Sequence, residues 1–195
     1  MEIEKSWLQT QMLNKFFLCI TIFSSNVFSC LELNKLNLYH PDTKTISLDY
    51  IQTFEASNKP VIKGKIYFDK PDLFKILTIE PSKTDLIVNG KDVYRTDYEL
   101  NETIKYDLLK IESQVPAFVL LKTKKNLCNF LRESKNSDFI NAIQIVSDDE
   151  KLKRISYKDQ FGVKTVIRFF KIKINEKIDK KMFEYNQESN LIILN

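Results

Sequence analysis

Apolar and polar residues alternate along much of the chain, most densely in KGKIYFDKPDLFKILTIEPSKTDLIVNGKDVYRTD, residues 63–97. Alternation with a period of two predicts β-strands. Pro71, Pro81 and the pair Asn89-Gly90, whose residues both tolerate positive φ, predict the turns between them. The segment therefore predicts four consecutive strands. Several of these strands carry apolar residues on both faces, so the sheet must be covered twice or must enclose something.

The rest of the chain continues this pattern. It predicts a first strand in TISLDYIQTFEA and later strands in TIKYDLL, FINAIQIVSDDE, KLKRISYKDQFG, VKTVIRFFKIKI and the terminal LIILN. Helical spacing appears in LELNKLNLYH, VPAFVLLK and NLCNFLRES. Ten or eleven strands in an antiparallel meander must curl or close, and the helices must cover a face or plug the interior. The predicted fold class is therefore mainly β (α+β), with an unclosed, strongly curved sheet.

Two interpretations of the apolar excess remain open from the residues alone. In the first, the helices of the chain simply cover both faces of the sheet. In the second, sheet and helices leave a cavity for an apolar ligand. The residues expected to line such a cavity are Phe68, Leu73, Phe74, Ile76, Leu86, Phe118 and Leu121.

The N-terminal segment is typical of a secretory signal peptide. A charged residue, Lys15, precedes the apolar run FFLCITIF, and small residues follow in SSNVFS. We expect residues 1–29 to be the signal, with translation starting either at Met1 or at Met12, and residues 30–195 to be a single domain. The alternative is a buried first helix. Cleavage after Ser29 would expose Cys30, which raises the possibility of lipidation there, although Phe28 stands where such signals prefer a small residue.

Charge and motifs argue against several classes of function. The net charge is +4, and Lys and Arg are spread through nearly every segment, so nucleic acid is not an expected partner. Three glycines leave no phosphate-binding loop, and His40 is the only histidine. The chain has no GxSxG, HExxH or CxxC motif. We therefore expect neither an enzyme nor a metal or other cofactor.

An ordered set of motifs resembles a known family. GKIYFDKPDLFKILTIEP is followed by DLIVNGKDVYRTDYEL, PAFVLL, LKRISYKDQFGVKTVIRFFKI and MFEYN. Together they look like the periplasmic outer-membrane lipoprotein carrier LolA, over roughly residues 31–190. Each piece is weak alone, but the order is fairly specific.

The resemblance implies an unclosed β-barrel whose helices form a lid over an apolar cavity. It implies a monomeric periplasmic chaperone that takes acylated lipoproteins released by an inner-membrane ABC transporter and passes them to an outer-membrane receptor. It also implies that the Lys70-Pro71 step contacts the lid. Two rivals remain: a receptor of the same fold anchored at Cys30, and an envelope-sensing domain that binds acylated proteins without ferrying them.

The chain departs from the family pattern at several positions. Lys70 stands where the family usually has an Arg that hydrogen-bonds toward the lid, so the planar fork is lost and a looser lid is expected. Ile76 stands where an aromatic residue is common, and Asn89 replaces the usual Asp. The segment 122–137 is shorter and more polar than in some members, which leaves its strand count open.

Overall fold

A computed structural model describes residues 36–55, 58–108, 140–159 and 161–194, with the backbone alone for 140–142. These residues form ten strands and two short 3₁₀ helices. The strands are β1 Thr45–Phe54, β2 Ile62–Asp69, β3 Leu73–Glu80, β4 Thr84–Asn89, β5 Asp92–Asp97, β6 Glu102–Asp107, β7 Ile140–Asp148, β8 Lys151–Asp159, β9 Lys164–Ile174 and β10 Asn190–Ile193. The 3₁₀ helices are Asn37–Tyr39 and Lys180–Phe183.

All ten strands belong to one sheet, in the order β10-β6-β5-β4-β3-β2-β1-β9-β8-β7. Strands β1 to β6 form one antiparallel meander, β7 to β9 form a second, and β1 joins them by pairing with β9. Within the described residues β10 and β7 are the two edges, so the sheet is unclosed. The expected mainly β, unclosed fold is confirmed. The expectation of purely antiparallel pairing is wrong at β10, which runs parallel to β6.

The β4–β5 hairpin turns one residue later than the sequence predicts. Asn89 pairs with Asp92, so it ends β4 and leaves Gly90 and Lys91 as the loop. Gly90 has φ +63°, whereas neither Asn89 nor Lys91 has positive φ. Positive φ at the first loop residue alone is the pattern of a type II′ turn, which places glycine at that position.

The two faces of the sheet are covered differently. The inner face carries a continuous core cluster drawn from β1–β5 and β7–β9, with Tyr106 of β6 packed against it. On the outer face, Ile87 of β4 is fully buried and Phe183 is 1% exposed. The 3₁₀ helix that ends at Phe183 packs on β3 and β4. Part of the apolar excess in residues 63–97 is therefore explained by the chain's own C-terminal segment.

A line of buried hydroxyls secures the C-terminal segment to the outer face. Thr96 Oγ1 lies 2.9 Å from Thr103 Oγ1, which in turn hydrogen-bonds Ser189 Oγ. Ser189 Oγ donates to the carbonyl of Asn186 at 2.6 Å. Because each buried hydroxyl has a partner, this polar strip lies under the segment without a desolvation penalty for unmade bonds.

Several predicted elements lie outside the described residues. These are the signal peptide 1–29, Cys30, the predicted helices at 115–122 and 126–134, and with them the lid. Of the predicted helix at 31–40, only residues from Leu36 onward are described, and Asn37–Tyr39 form a single 3₁₀ turn. No helix in the described part is long and apolar enough to cross a membrane.

Candidate functional site

The candidate site is the inner face of the sheet, where apolar side chains from neighbouring strands stand opposite one another. Phe68 pairs with Phe74 across β2 and β3, and Ile76 pairs with Leu86 across β3 and β4. The Phe68 and Phe74 rings meet edge to face, with centroids 6.2 Å apart. Edge-to-face contact is a favourable arrangement for two aromatic rings. Four of the seven predicted lining residues therefore share this face.

Burial separates these four residues into two kinds. Phe68 is 5% exposed and Phe74 is fully buried, so both are part of the packed core. Ile76 and Leu86 are only partly buried and pack against the edge of the core, as does Tyr106 on β6. This half-buried set, Ile76, Leu86 and Tyr106, is called the apolar margin below. These three side chains still have apolar surface left to bury, as do other partly buried residues that pack against the core.

Residues 36–40, which precede β1 and are called the N-terminal segment from here on, fill the other side of the inner face. Leu36 is 2% exposed and Leu38 is 8% exposed, and both belong to the core cluster. Between Leu38, Ile46, Leu152 and Ile172 the remaining cavity measures only about 20 Å³. That is roughly room for a single water molecule, so an acyl chain would have to bind elsewhere on this face.

Tyr50 introduces a polar group into the inner face. It stands opposite Gly64 in the β1–β2 register, and its hydroxyl lies 3.0 Å from Thr78 Oγ1 on β3. The ring therefore crosses β2 where the glycine has no side chain. Burial raises the pKa of the Tyr50 hydroxyl, and the hydrogen bond with Thr78 opposes that rise. The hydroxyl stays neutral and satisfied beneath the apolar surface.

Arg95 is a second polar group near this face, in the register row of Ile76 and Leu86. It lies between Leu86 on β4 and Ile104 on β6. Its side chain is exposed. A cation beside half-buried apolar residues can keep its charged head in water while its stem covers them.

Three predicted lining residues do not join this group. Strand alternation places Leu73 on the outer face, in register with Asp69 and Asn89, because it is adjacent to inward-facing Phe74. The prediction of an inward Leu73 does not fit this register. Phe118 and Leu121 lie outside the described residues.

Lys70 links the β2–β3 turn to the N-terminal segment. Its Nζ donates to the carbonyls of Leu38 at 3.1 Å and His40 at 3.4 Å. Desolvation lowers the pKa of the Lys70 ammonium. The adjoining Pro71 is exposed. The lid residues that Lys70-Pro71 is predicted to contact lie outside the described part. Within it, the Lys70 hydrogen bonds hold residues 38–40 against the core.

The described residues offer little for chemistry. His40 is exposed, and its Nδ1 accepts a hydrogen bond from the amide of Asp42 at 3.3 Å. No group of three or more His, Cys, Asp or Glu within the described ranges could hold a metal ion. The inner face is arranged to bury apolar surface.

Some residues of this face carry signals that the sequence interpretation did not use. Leu36 and Leu38 lie two apart, which does not fit one face of an α-helix. Gly64 interrupts an apolar strand, and a glycine there often marks a close approach by another group. A Cβ built at Gly64 would lie 2.1 Å from the Leu77 carbonyl oxygen and 2.7 Å from the Tyr50 ring.

Comparisons with known proteins find related sequences. The family model described as outer membrane lipoprotein carrier protein LolA matches residues 42–186. A carrier protein from Francisella philomiragia is 25% identical over 166 aligned residues, covering 78% of this chain and 81% of the relative. A second, from Legionella pneumophila, is 24% identical over 188 residues, covering 88% and 93%.

Among solved structures, an uncharacterised conserved protein from Thermus thermophilus has a similar fold. The TM-score is 0.53 at 9% sequence identity, and the match covers 84% of this chain and 98% of the other. At that identity the similarity concerns the fold alone. The family model spans most of the chain, and on that match the chain belongs to the LolA family of outer-membrane lipoprotein carriers.

Proposed function

We propose that this protein is a periplasmic carrier that binds the acyl chains of lipoproteins released from the inner membrane and delivers them to an outer-membrane receptor. The observation that carries the proposal is the apolar margin of Ile76, Leu86 and Tyr106, which lies beside a closed core and remains only partly buried. The names of the relatives support the same cargo.

The energetics of acyl transport suit such a surface. Each buried methylene contributes about 0.8 kcal/mol, so a chain exposed to water would drive aggregation or reinsertion into the membrane. The carrier must bury the chains, yet bind them less tightly than its receptor does. No covalent step is needed, which is consistent with a site that buries apolar surface.

In this proposal Ile76 and Leu86 contact the cargo, while Phe68 and Phe74 form the rigid floor beneath it. Phe118 and Leu121 are proposed to contribute the opposite wall from the lid. Lys70 holds the N-terminal segment over the neighbouring part of the core, so it limits how far the sheet and that segment separate when the site opens.

The partners follow from the route of the cargo. An inner-membrane ABC transporter would load the carrier, and an outer-membrane receptor would unload it. The carrier itself would act as a monomer after removal of residues 1–29, because each molecule must present its site alternately to two membranes.

Isolation of the protein from periplasm followed by mass spectrometry tests ligand and compartment together. A triacylated lipoprotein bound in about equimolar amount is the expected result. Two results together would contradict the proposal. The protein would be recovered from the periplasm with no acylated partner, and cells depleted of it would still sort their outer-membrane lipoproteins.

A receptor role is the alternative that a specific feature favours, since Cys30 directly follows the predicted cleavage site. Intact mass of the mature protein separates the two roles. A diacylglyceryl or triacyl addition at Cys30 would indicate an anchored receptor, and an unmodified N-terminus would indicate a soluble carrier.

A further inference from the structure

The strand register gathers basic residues from distant parts of the sequence onto one area of the outer face. One row across the sheet runs through Lys63 of β2, Ile51 of β1, Arg168 of β9 and Arg154 of β8. In the next row, Lys65 stands beside Asp49, and Asp49 beside Phe170. We call this area, together with the adjoining Lys171 and Lys173, the basic face.

The basic face keeps a net positive charge after its ion pairs are considered. Three of its lysines have acidic partners: Lys63 with Glu80, Lys171 with Asp49, and Lys173 with Glu176. These exposed pairs contribute little individually. Lys65, Arg154 and Arg168 make no ion pair within the described residues, which leaves three uncompensated cations in two neighbouring rows.

The arginine pair is unfavourable for folding alone. Arg154 and Arg168 are direct cross-strand neighbours, and like charges in that relation destabilise a sheet. The Nε of Arg154 is also buried without a hydrogen-bond partner. An anionic group bound above the pair would offset the repulsion between the two guanidinium groups.

Exposed apolar side chains stand among these cations. Phe170 is 42% exposed and Ile79 is 49% exposed. They line one shallow depression together with Lys63, Lys65 and Lys171. The C-terminal 3₁₀ helix packs mainly on β3 and β4, and its Met182 borders the basic face beside Lys65 and Lys173.

We infer that the basic face docks on the surface of a membrane rich in anionic lipid, with phosphate headgroups on Lys65, Arg154 and Arg168 and with Phe170 entering the interface. An aromatic residue surrounded by basic ones is the composition of interfacial binding. An acidic protein is the less suited occupant, because lysine, four of the six cations here, is depleted from protein interfaces. The inference does not depend on acyl binding at the apolar margin.

Co-sedimentation with vesicles tests this inference, using the processed protein purified from periplasm. Vesicles of phosphatidylcholine with about a third phosphatidylglycerol are compared with vesicles of phosphatidylcholine alone. Each free basic residue near an anionic surface contributes about a fivefold gain in partitioning. We expect Lys65→Gln with Arg168→Gln to lower partitioning onto the anionic vesicles about 25-fold, and Phe170→Ser to lower it further.

The matched control is Lys91→Gln with Lys180→Gln, which removes the same charge from exposed positions off the basic face. We expect this control to retain most of the binding, and we expect added salt to weaken the binding of all variants. Equal binding to both kinds of vesicle, or an equal loss in the two double variants, would overturn the inference. A failure here leaves acyl binding untouched, because that is measured with soluble ligand and no membrane.

Discussion

The Nζ atom of Lys70 lies 3.1 Å from the carbonyl oxygen of Leu38 and bonds the carbonyl of His40 as well. The same N-terminal segment is tied to the other end of the core, where the amide of Asn37 donates to the carbonyl of Glu150 at 2.9 Å. Residues 36–40 therefore bridge the β2–β3 turn and the β7–β8 turn, with Leu36 and Leu38 buried between them.

Replacing Lys70 by Leu should destabilise the protein by about 1–2 kcal/mol, since two carbonyls lose a charged donor at a partly exposed site. Lys70→Arg should keep most of the stability, because its guanidinium retains donors. Urea unfolding measures both. Lys91→Leu is the control, an exposed turn lysine. A Lys70→Leu variant as stable as that control would show that the two bonds do not hold the segment.

A buried ion pair on the outer face should matter far more than an exposed one nearby. Lys75 Nζ lies 2.9 Å from Asp85 Oδ2, and the two side chains are 12% and 1% exposed. Lys75→Met would leave a buried carboxylate without its cation, at a cost of about 3–5 kcal/mol.

The matched control for Lys75→Met is Lys63→Met, which breaks the exposed pair with Glu80 at 2.7 Å. It should change the free energy of unfolding by less than about 1 kcal/mol. Similar losses in the two variants, measured by denaturant unfolding, would show that burial does not determine the strength of these pairs.

Alkaline pH should weaken the fold in a way that depends on Tyr98. Burial and the hydrogen bond to Asp85, 2.9 Å long, raise the pKa of Tyr98 to about 12 from its ordinary value of 10.0. In the unfolded chain the hydroxyl loses its proton first, so its stabilising contribution is complete below pH 10 and is lost as pH rises through about 12.

Unfolding free energies of wild type and Tyr98→Phe, measured from pH 8 to 12, provide the test of this linkage. The difference between the two proteins should shrink steadily above pH 10. A difference that stays constant with pH would mean that Tyr98 titrates alike in the folded and unfolded states.

Gly64→Ala should be among the costlier small substitutions in the chain. The added methyl would meet the Leu77 carbonyl oxygen at 2.1 Å, and the Tyr50 ring would have to leave its place across β2. We expect a loss of about 2 kcal/mol or more in thermal or urea unfolding. Lys65→Ala, its exposed neighbour, should stay within about 0.5 kcal/mol. Equal effects would indicate that the ring readily moves aside.

Much of the fold could be predicted because apolar, β-branched runs of strand length are separated by clear turn residues. The residues LFKILTIE coincide with β3 from Leu73 to Glu80, since proline and turn residues bound them on both sides. The parallel pairing of β10 with β6 could not be predicted, because it depends on the route of the chain after Phe183 and leaves no local pattern.

The candidate site was predictable in part for the same reason. Phe68, Phe74, Ile76 and Leu86 share a face because alternation and register agree, whereas Leu73 is apolar but lies on the opposite face, next to Phe74. The basic face could not be predicted from the spread of Lys and Arg along the chain. Lys65 and Arg168 are about a hundred residues apart in sequence and come onto one area of the sheet only because β1 pairs with both β2 and β9.

Comparison of Ile76→Gln with Leu73→Gln most directly tests whether the inner face binds acyl chains. The two residues lie on the same strand and are both partly buried, but they stand on opposite faces. The measurement is the Kd of a synthetic triacylated lipopeptide. Losing the burial of one apolar side chain should weaken binding about tenfold or more in Ile76→Gln, and Leu73→Gln should bind like wild type. Equal weakening in both variants, or none in Ile76→Gln, would contradict acyl binding at the inner face.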